Sequence, residues 1–174
     1  MKMKLSIFML SLSVLLVACS DDTNHVEEGY TDDIKGLVHE YSVGEVVDEN
    51  ASITSTELIV TNIDEEETVY PLPEDEFFVS IAPYIDETHP CKDHSLTGCQ
   101  GELVKKEFDV YIEDSEGNVV IEDTLKTEEN GFIDLWLPRD ETYNITIYHG
   151  GKKVESKFST FEEDGTCITT LQLT

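Results

Sequence analysis

Apolar and polar residues alternate through the second half of the chain. Phe77, Val79 and Ile81 share one parity before Pro83. Phe108, Val110 and Ile112 alternate with Asp109, Tyr111 and Glu113, and the turn Asp114-Ser115-Glu116-Gly117-Asn118 leads into residues 119–121. Ile133, Leu135 and Leu137 alternate with Phe132, Asp134 and Trp136; Tyr143, Ile145 and Ile147 alternate with Asn144, Thr146 and Tyr148. Residues 154–160 and 167–173 close the chain. Successive side chains of a strand point to opposite faces, so a period of two marks strands with one buried face. Short strands broken by Gly, Asp and Pro predict a mainly β fold, an antiparallel β-sandwich or partial barrel. Trp136 lies opposite the core parity and is expected to cover a second sheet face or a dimer surface.

Upstream the period changes. Ile34, Leu37, Val38 and Tyr41 stand at helical spacing behind Asp32 and Asp33, either of which can cap a short helix. Residues 57–61 make a strand, 62–67 a polar turn, and Pro71 and Pro73 bracket the passage onward. The expected organisation is a small N-terminal helix and strand unit over 34–73, a candidate for homodimer formation, and a β-rich domain over 74–174.

The first residues have another purpose. Lys2 and Lys4 precede an apolar run from Leu5 to Ala18, too short to span a bilayer comfortably and built like an export signal. It ends in Leu16-Val17-Ala18-Cys19, which looks like a lipobox. Cys19 would then be lipidated and begin the mature chain, with residues 1–18 removed and the acidic stretch 19–33 serving as a flexible tether. This predicts a lipid-anchored protein on the extracytoplasmic face of the cell membrane, with Cys91, Cys99 and Cys167 as its remaining cysteines. Three is an odd number, so at least one thiol stays free, binds metal or pairs with another chain. All three methionines leave with the signal.

Charge removes several function classes. The chain holds 38 acidic and 11 basic residues, a formal net charge of -27. Nucleic-acid binding is excluded, because phosphate contacts need clustered Lys and Arg. No polybasic segment marks a membrane footprint, so a lipid must do any anchoring. The carboxylates follow no calcium-loop spacing, and the glycines fit no phosphate loop. His25, His39 and His149 read as solvated, packing or turn residues.

Candidate chemistry concentrates in residues 86–101, long for a sandwich loop. His89, Cys91, His94 and Cys99 lie there within eleven residues, and Pro90 and Gly98 can set sharp turns between them. Cys167 stands apart on the last strand, where unbroken alternation would put it on the core face with Leu171 and Leu173. Spacing alone leaves open a structural disulfide with one spare thiol, or a metal or redox site. For a metal, three thiols and an imidazole suit soft Cu(I). Zinc also accepts Cys3His and is the alternative.

The motifs narrow this further. Ser80-Ile81-Ala82-Pro83-Tyr84, Thr88-His89-Pro90-Cys91, His94-Ser95-Leu96-Thr97-Gly98-Cys99, Gly101-Glu102-Leu103 and Thr166-Cys167-Ile168 resemble the CueP family of periplasmic copper-resistance proteins and its lipoprotein relatives. The resemblance implies copper ligation by Cys91, Cys99 and Cys167, with His89 and His94 as nearby participants. It also implies an N-terminal dimerising part, thiol-dependent reduction of Cu(II) to Cu(I), and a copper-accepting envelope protein such as a Cu,Zn superoxide dismutase. The lipobox and acidity depart from a freely diffusing member, so the expectation is a different client, or none, with sequestration then the whole role. Two other classes stay in view: a thiol-redox protein without a dedicated metal, and a non-catalytic β-sandwich binding module with a disulfide-tied loop.

Overall fold

The computed structural model describes residues 26–174. The export signal, Cys19, His25 and the first part of the acidic tether lie outside the described residues. In chain order the elements are β1 (Val26–Glu28), α1 (Ile34–Ser42), β2 (Asn50–Ile53), β3 (Glu57–Thr61), β4 (Glu67–Pro71), β5 (Glu76–Ile81), β6 (His94–Ser95), β7 (Glu107–Glu113), β8 (Val119–Lys126), β9 (Ile133–Pro138), β10 (Thr142–His149), β11 (Lys152–Ser159) and β12 (Cys167–Ile168). Among the described residues the fold is mainly β with three sheets, and no sheet closes into a barrel.

The four-stranded sheet runs β11-β10-β7-β8, antiparallel throughout. The three-stranded sheet runs β12-β5-β9, and the five-stranded sheet runs β1-β4-β3-β2-β6. Two pairings are parallel, β1 with β4 and β12 with β5, so the antiparallel expectation fails at those two edges. Both strands are two or three residues long, and each reaches its partner from a distant part of the chain. β1 also occupies part of the stretch expected as a flexible tether.

Alternation placed the main core correctly. Phe77, Val79, Ile81, Phe108, Val110, Ile112, Ile133, Leu137, Tyr143, Ile145 and Ile147 are all buried in one cluster between the three- and four-stranded sheets. The middle sheet is apolar on its other face as well. Phe78 is fully buried there, and Trp136 packs edge-on against it at 5.2 Å. Both join a second core with Val38 and Tyr41 of α1, Ile53, Leu58 and Val60 of the N-terminal strands, and Leu96. Trp136 thus covers a second sheet face. The helix forms as its spacing predicts: the Asp33 carboxylate accepts from the Gly36 N–H at 2.9 Å, satisfying one free donor of the first turn.

The molecule is therefore three layers around two cores, with β5 contributing to both. Two consequences bear on chemistry. The 86–101 segment is not without regular structure, because His94 and Ser95 pair with Ile53 and Ser52 of β2. The terminal strand is broken rather than continuous: Ile168 packs towards the main core, the chain shifts parity across Thr169 and Thr170, and Leu171 and Leu173 rejoin that core. Cys167 is opposite Ser80 in the register and faces away from the main core. The expectation that it shares a face with Leu171 and Leu173 is overturned by that break.

Candidate metal centre

The break in the last strand decides where Cys167 points. Its N–H donates to the Lys92 carbonyl at 3.0 Å, which draws the loop over the strand end. Thr166, beside it, is fully buried and binds both neighbours: its hydroxyl accepts from the His94 N–H at 2.9 Å and donates to the Ile53 carbonyl at 2.6 Å. Gly165 lies where a Cβ would sit 2.6 Å from the Lys92 carbonyl oxygen. The loop's start is tied by the Thr88 hydroxyl, which donates to the Thr169 carbonyl at 2.6 Å.

On the other side of the site, the Cys99 N–H donates to the Ser95 carbonyl at 3.0 Å, closing a turn through Gly98. The exit crosses residue 131 closely: the Gly101 N–H donates to the Asn130 carbonyl at 2.7 Å, and a Cβ on Gly101 would stand 2.6 Å from the Gly131 oxygen. Gly131 itself has φ +82°, a conformation that glycine adopts without strain.

These ties gather Cys91, His94, Cys99 and Cys167, whose ligand atoms all lie within 4.8 Å of one another. The Cys91 and Cys99 sulfurs are 3.6 Å apart, and Cys167 Sγ is 3.5 Å from His94 Nδ1. A disulfide needs about 2.05 Å, so all three cysteines are free thiols and no disulfide ties the loop. Ala82 and Phe132 wall the thiols, with Cys91 and Cys99 partly exposed and Cys167 buried. His94 is fully buried with its ring 4.4 Å from that of Phe132. His89 is outside the four-residue group but close by, its ring edge-on to Phe132 at 6.4 Å.

A family model described as periplasmic copper-binding protein CueP matches residues 36–172. The chain belongs to the CueP family. Among solved structures, the crystal structure of S.CueP is 37% identical, covers 81% of this chain and 88% of that one, and superposes with a TM-score of 0.77. A search of curated proteins finds no match.

In this CueP-family chain, the surroundings favour the neutral forms of His94, Cys99 and Cys167. Burial lowers the His94 imidazole to about 4, with the neighbouring His89 adding to the effect. Burial likewise raises the Cys167 thiol strongly, and nearby Cys91 and Cys99 push it the same way. Cys99 is raised by burial against the opposing bond to Ser95. A neutral imidazole offers a lone pair at ordinary pH, whereas the Cys99 and Cys167 thiols give up protons more readily when a cation compensates the charge. The His94 Nδ1 lone pair at Cys167 is placed to accept such a proton or to bind the cation itself.

Sequence reasoning found the cysteines and histidines but missed Phe132 and Thr166. Phe132 carried a signal: with Trp136 it makes two large aromatics on the supposed outer face of one strand, which points to a second buried side. Thr166 carried none, because its two partners come from remote parts of the chain.

Proposed function

We propose that this protein binds Cu(I) outside the cytoplasm through Cys91, Cys99 and Cys167, with His94 Nδ1 as a fourth donor. The observation that carries the reading is the convergence of three thiols and one imidazole within 4.8 Å against Ala82 and Phe132. Soft thiolates in an apolar enclosure favour a soft monovalent ion, and Cu(I) accepts two- and three-coordinate thiolate sites. The same donor set would admit zinc; membership of a family of periplasmic copper-binding proteins favours copper.

Titration of the reduced protein against a competing Cu(I) chelator tests this. The expected result is about one Cu(I) per chain, lost when all three cysteines become serine. Affinity near the wild-type level in that triple variant overturns the reading.

Reduction of Cu(II) fits the same group. Two Cu(II) ions each take one electron from the Cys91 and Cys99 thiolates, whose sulfurs join as a disulfide, giving two Cu(I). The 3.6 Å separation favours this pair. Cys167 and His94 remain as ligands for one reduced ion, and the other passes on. With anchoring through lipidated Cys19, this chemistry serves sequestration at the membrane surface or delivery to an envelope acceptor. Cys19→Ser should move the protein from the detergent phase to the aqueous phase in detergent partitioning. Unchanged partitioning would remove the anchor from the proposal.

A further inference from the structure

The four-stranded sheet ends on β8, which among the described residues pairs with β7 alone. Most of β8 is exposed along its length, and Val119 and Val120 stand 51% and 38% open to solvent. The Thr127 N–H donates to the Lys106 carbonyl, and in an antiparallel pair alternate residues turn their backbone towards the partner strand. Counting back from Thr127, the backbones of Leu125, Asp123 and Ile121 face β7, so those of Glu122, Thr124 and Lys126 face outward. The Thr124 N–H fits this, donating to the Asp123 carboxylate at 2.7 Å. An edge of unpaired donors and acceptors is a template for another strand.

The side chains beside this edge define what fits it. Glu122 lies across from Tyr111 and Thr124 across from Asp109, while Tyr111 and Asp109 lie across from Thr146 and Tyr148 of β10. They line one open groove on the outer face of the sheet, with Glu155 at its far side. The groove already holds one ammonium: Lys153 Nζ sits over the Tyr148 ring, 5.2 Å from its centroid, and bonds the Glu155 carboxylate. Asp109, Glu122 and Asp123 form no salt bridge among the described residues. On the inner face Ile121 and Leu125 pack against the main core and are only partly buried, so an added strand would cover them. We infer that β8 and the groove beside it are a docking edge for an extended, basic segment of another protein, which adds to the sheet as a fifth strand. Its backbone takes the outward groups of Glu122, Thr124 and Lys126. Its Lys or Arg side chains meet Glu122 and reach towards Tyr111 and Asp109, and its apolar ones cover Ile121 and Leu125. A second copy of this chain fits badly, because pairing the middle of β8 with itself sets Glu122 and Asp123 against like charges. The formal net charge of -27 favours the same basic occupant. Nothing in this surface depends on bound copper.

The test titrates full-length, isotope-labelled protein with the peptide Lys-Val-Lys-Val-Lys-Val-Lys and reads the backbone amide shifts. Glu122, Thr124 and Lys126 should move first and gain protection from hydrogen exchange, with affinity falling as salt rises. The peptide Lys-Gly-Lys-Pro-Lys-Gly-Lys keeps the charge but extends a sheet poorly, and should bind about tenfold more weakly. Glu122→Pro removes an outward N–H and spares the ladder to β7. It should weaken binding of the valine peptide by about tenfold beyond Glu122→Gln, which removes the charge alone. The comparison of the two peptides on wild-type protein stands whether or not Glu122→Pro folds. Equal binding of both peptides, shifts that avoid β8, or no binding at about 1 mM peptide overturns the inference. Self-association that Glu122→Pro abolishes also overturns it, by giving the edge to a second copy.

Discussion

Asp134 is a carboxylate facing the seam between the two cores. It accepts hydrogen bonds from Ser80 of β5 at 2.5 Å and from Ser42 at the end of α1, and the Asn130 amide donates to the Ser42 carbonyl and hydroxyl, each at 3.2 Å. Burial raises its pKa; the two serine hydroxyls oppose that, Glu128 adds to it and His39 opposes it. An acid whose folded pKa lies above its unfolded value holds its proton longer in the native state. Stability from this group is then complete below the ordinary aspartate range and falls as pH rises through the raised value. Asp134→Asn keeps the shape and an acceptor oxygen while removing the charge. Its urea midpoint should gain on the wild type as pH rises above the ordinary aspartate range, about 4, and run level once pH has passed the raised value. Parallel curves over that range would show that the carboxylate contributes no such pH dependence.

At the scale of elements, two dipeptide strands build the candidate metal centre. β6 brings His94 to β2, β12 brings Cys167 to β5, and Thr166 joins them through His94 and the Ile53 carbonyl. Replacing Thr166 with valine keeps the volume but strands a buried donor and a buried acceptor, a loss of about 1–3 kcal/mol. The expected outcome is a lower denaturation midpoint together with weaker Cu(I) retention against the chelator; an unchanged pair of values would show that the hydroxyl does not position the site. The same elements explain what could be read from sequence. A strand with one wet face prints its burial as a period of two, so β3, β7 and β10 were legible; β5 and β9 showed the parity of their main-core face but not that Phe78 and Trp136 serve a second core. Asn50-Ala-Ser-Ile and His94-Ser95 are too short and polar to print anything, and their strands come from remote pairing. Residue types and spacing marked the four clustered donors, but not that Cys167 faces the other three. That depended on a shift of parity at Thr169 and Thr170, where no proline or glycine announces a break.

Across the whole molecule, β5 is the hinge of the architecture. Phe77, Val79 and Ile81 serve the main core while Phe78 serves the N-terminal one, so the boundary expected near residue 73 divides the sequence more cleanly than it divides the packing. A chain of residues 74–174 alone would expose Phe78 and Leu96, both essentially buried, and would uncover Trp136. Burial of such side chains stabilises by about 1.5–3 kcal/mol each, so losing two of them consumes much of the roughly 5–15 kcal/mol available to a whole domain. The cut would also remove β2, against which His94 is registered, and the Ile53 carbonyl that holds Thr166. The full chain should therefore unfold in one cooperative transition, seen alike by tryptophan fluorescence and circular dichroism. The fragment should lack a sharp transition and hold Cu(I) weakly in the chelator assay, even with all three cysteines present. If the fragment unfolds cooperatively near the full-length midpoint and keeps its copper, the N-terminal unit is an independent attachment and the metal centre belongs to the second unit alone. If it does neither, the helix and strands before residue 74 are part of what makes the three thiols and His94 a site.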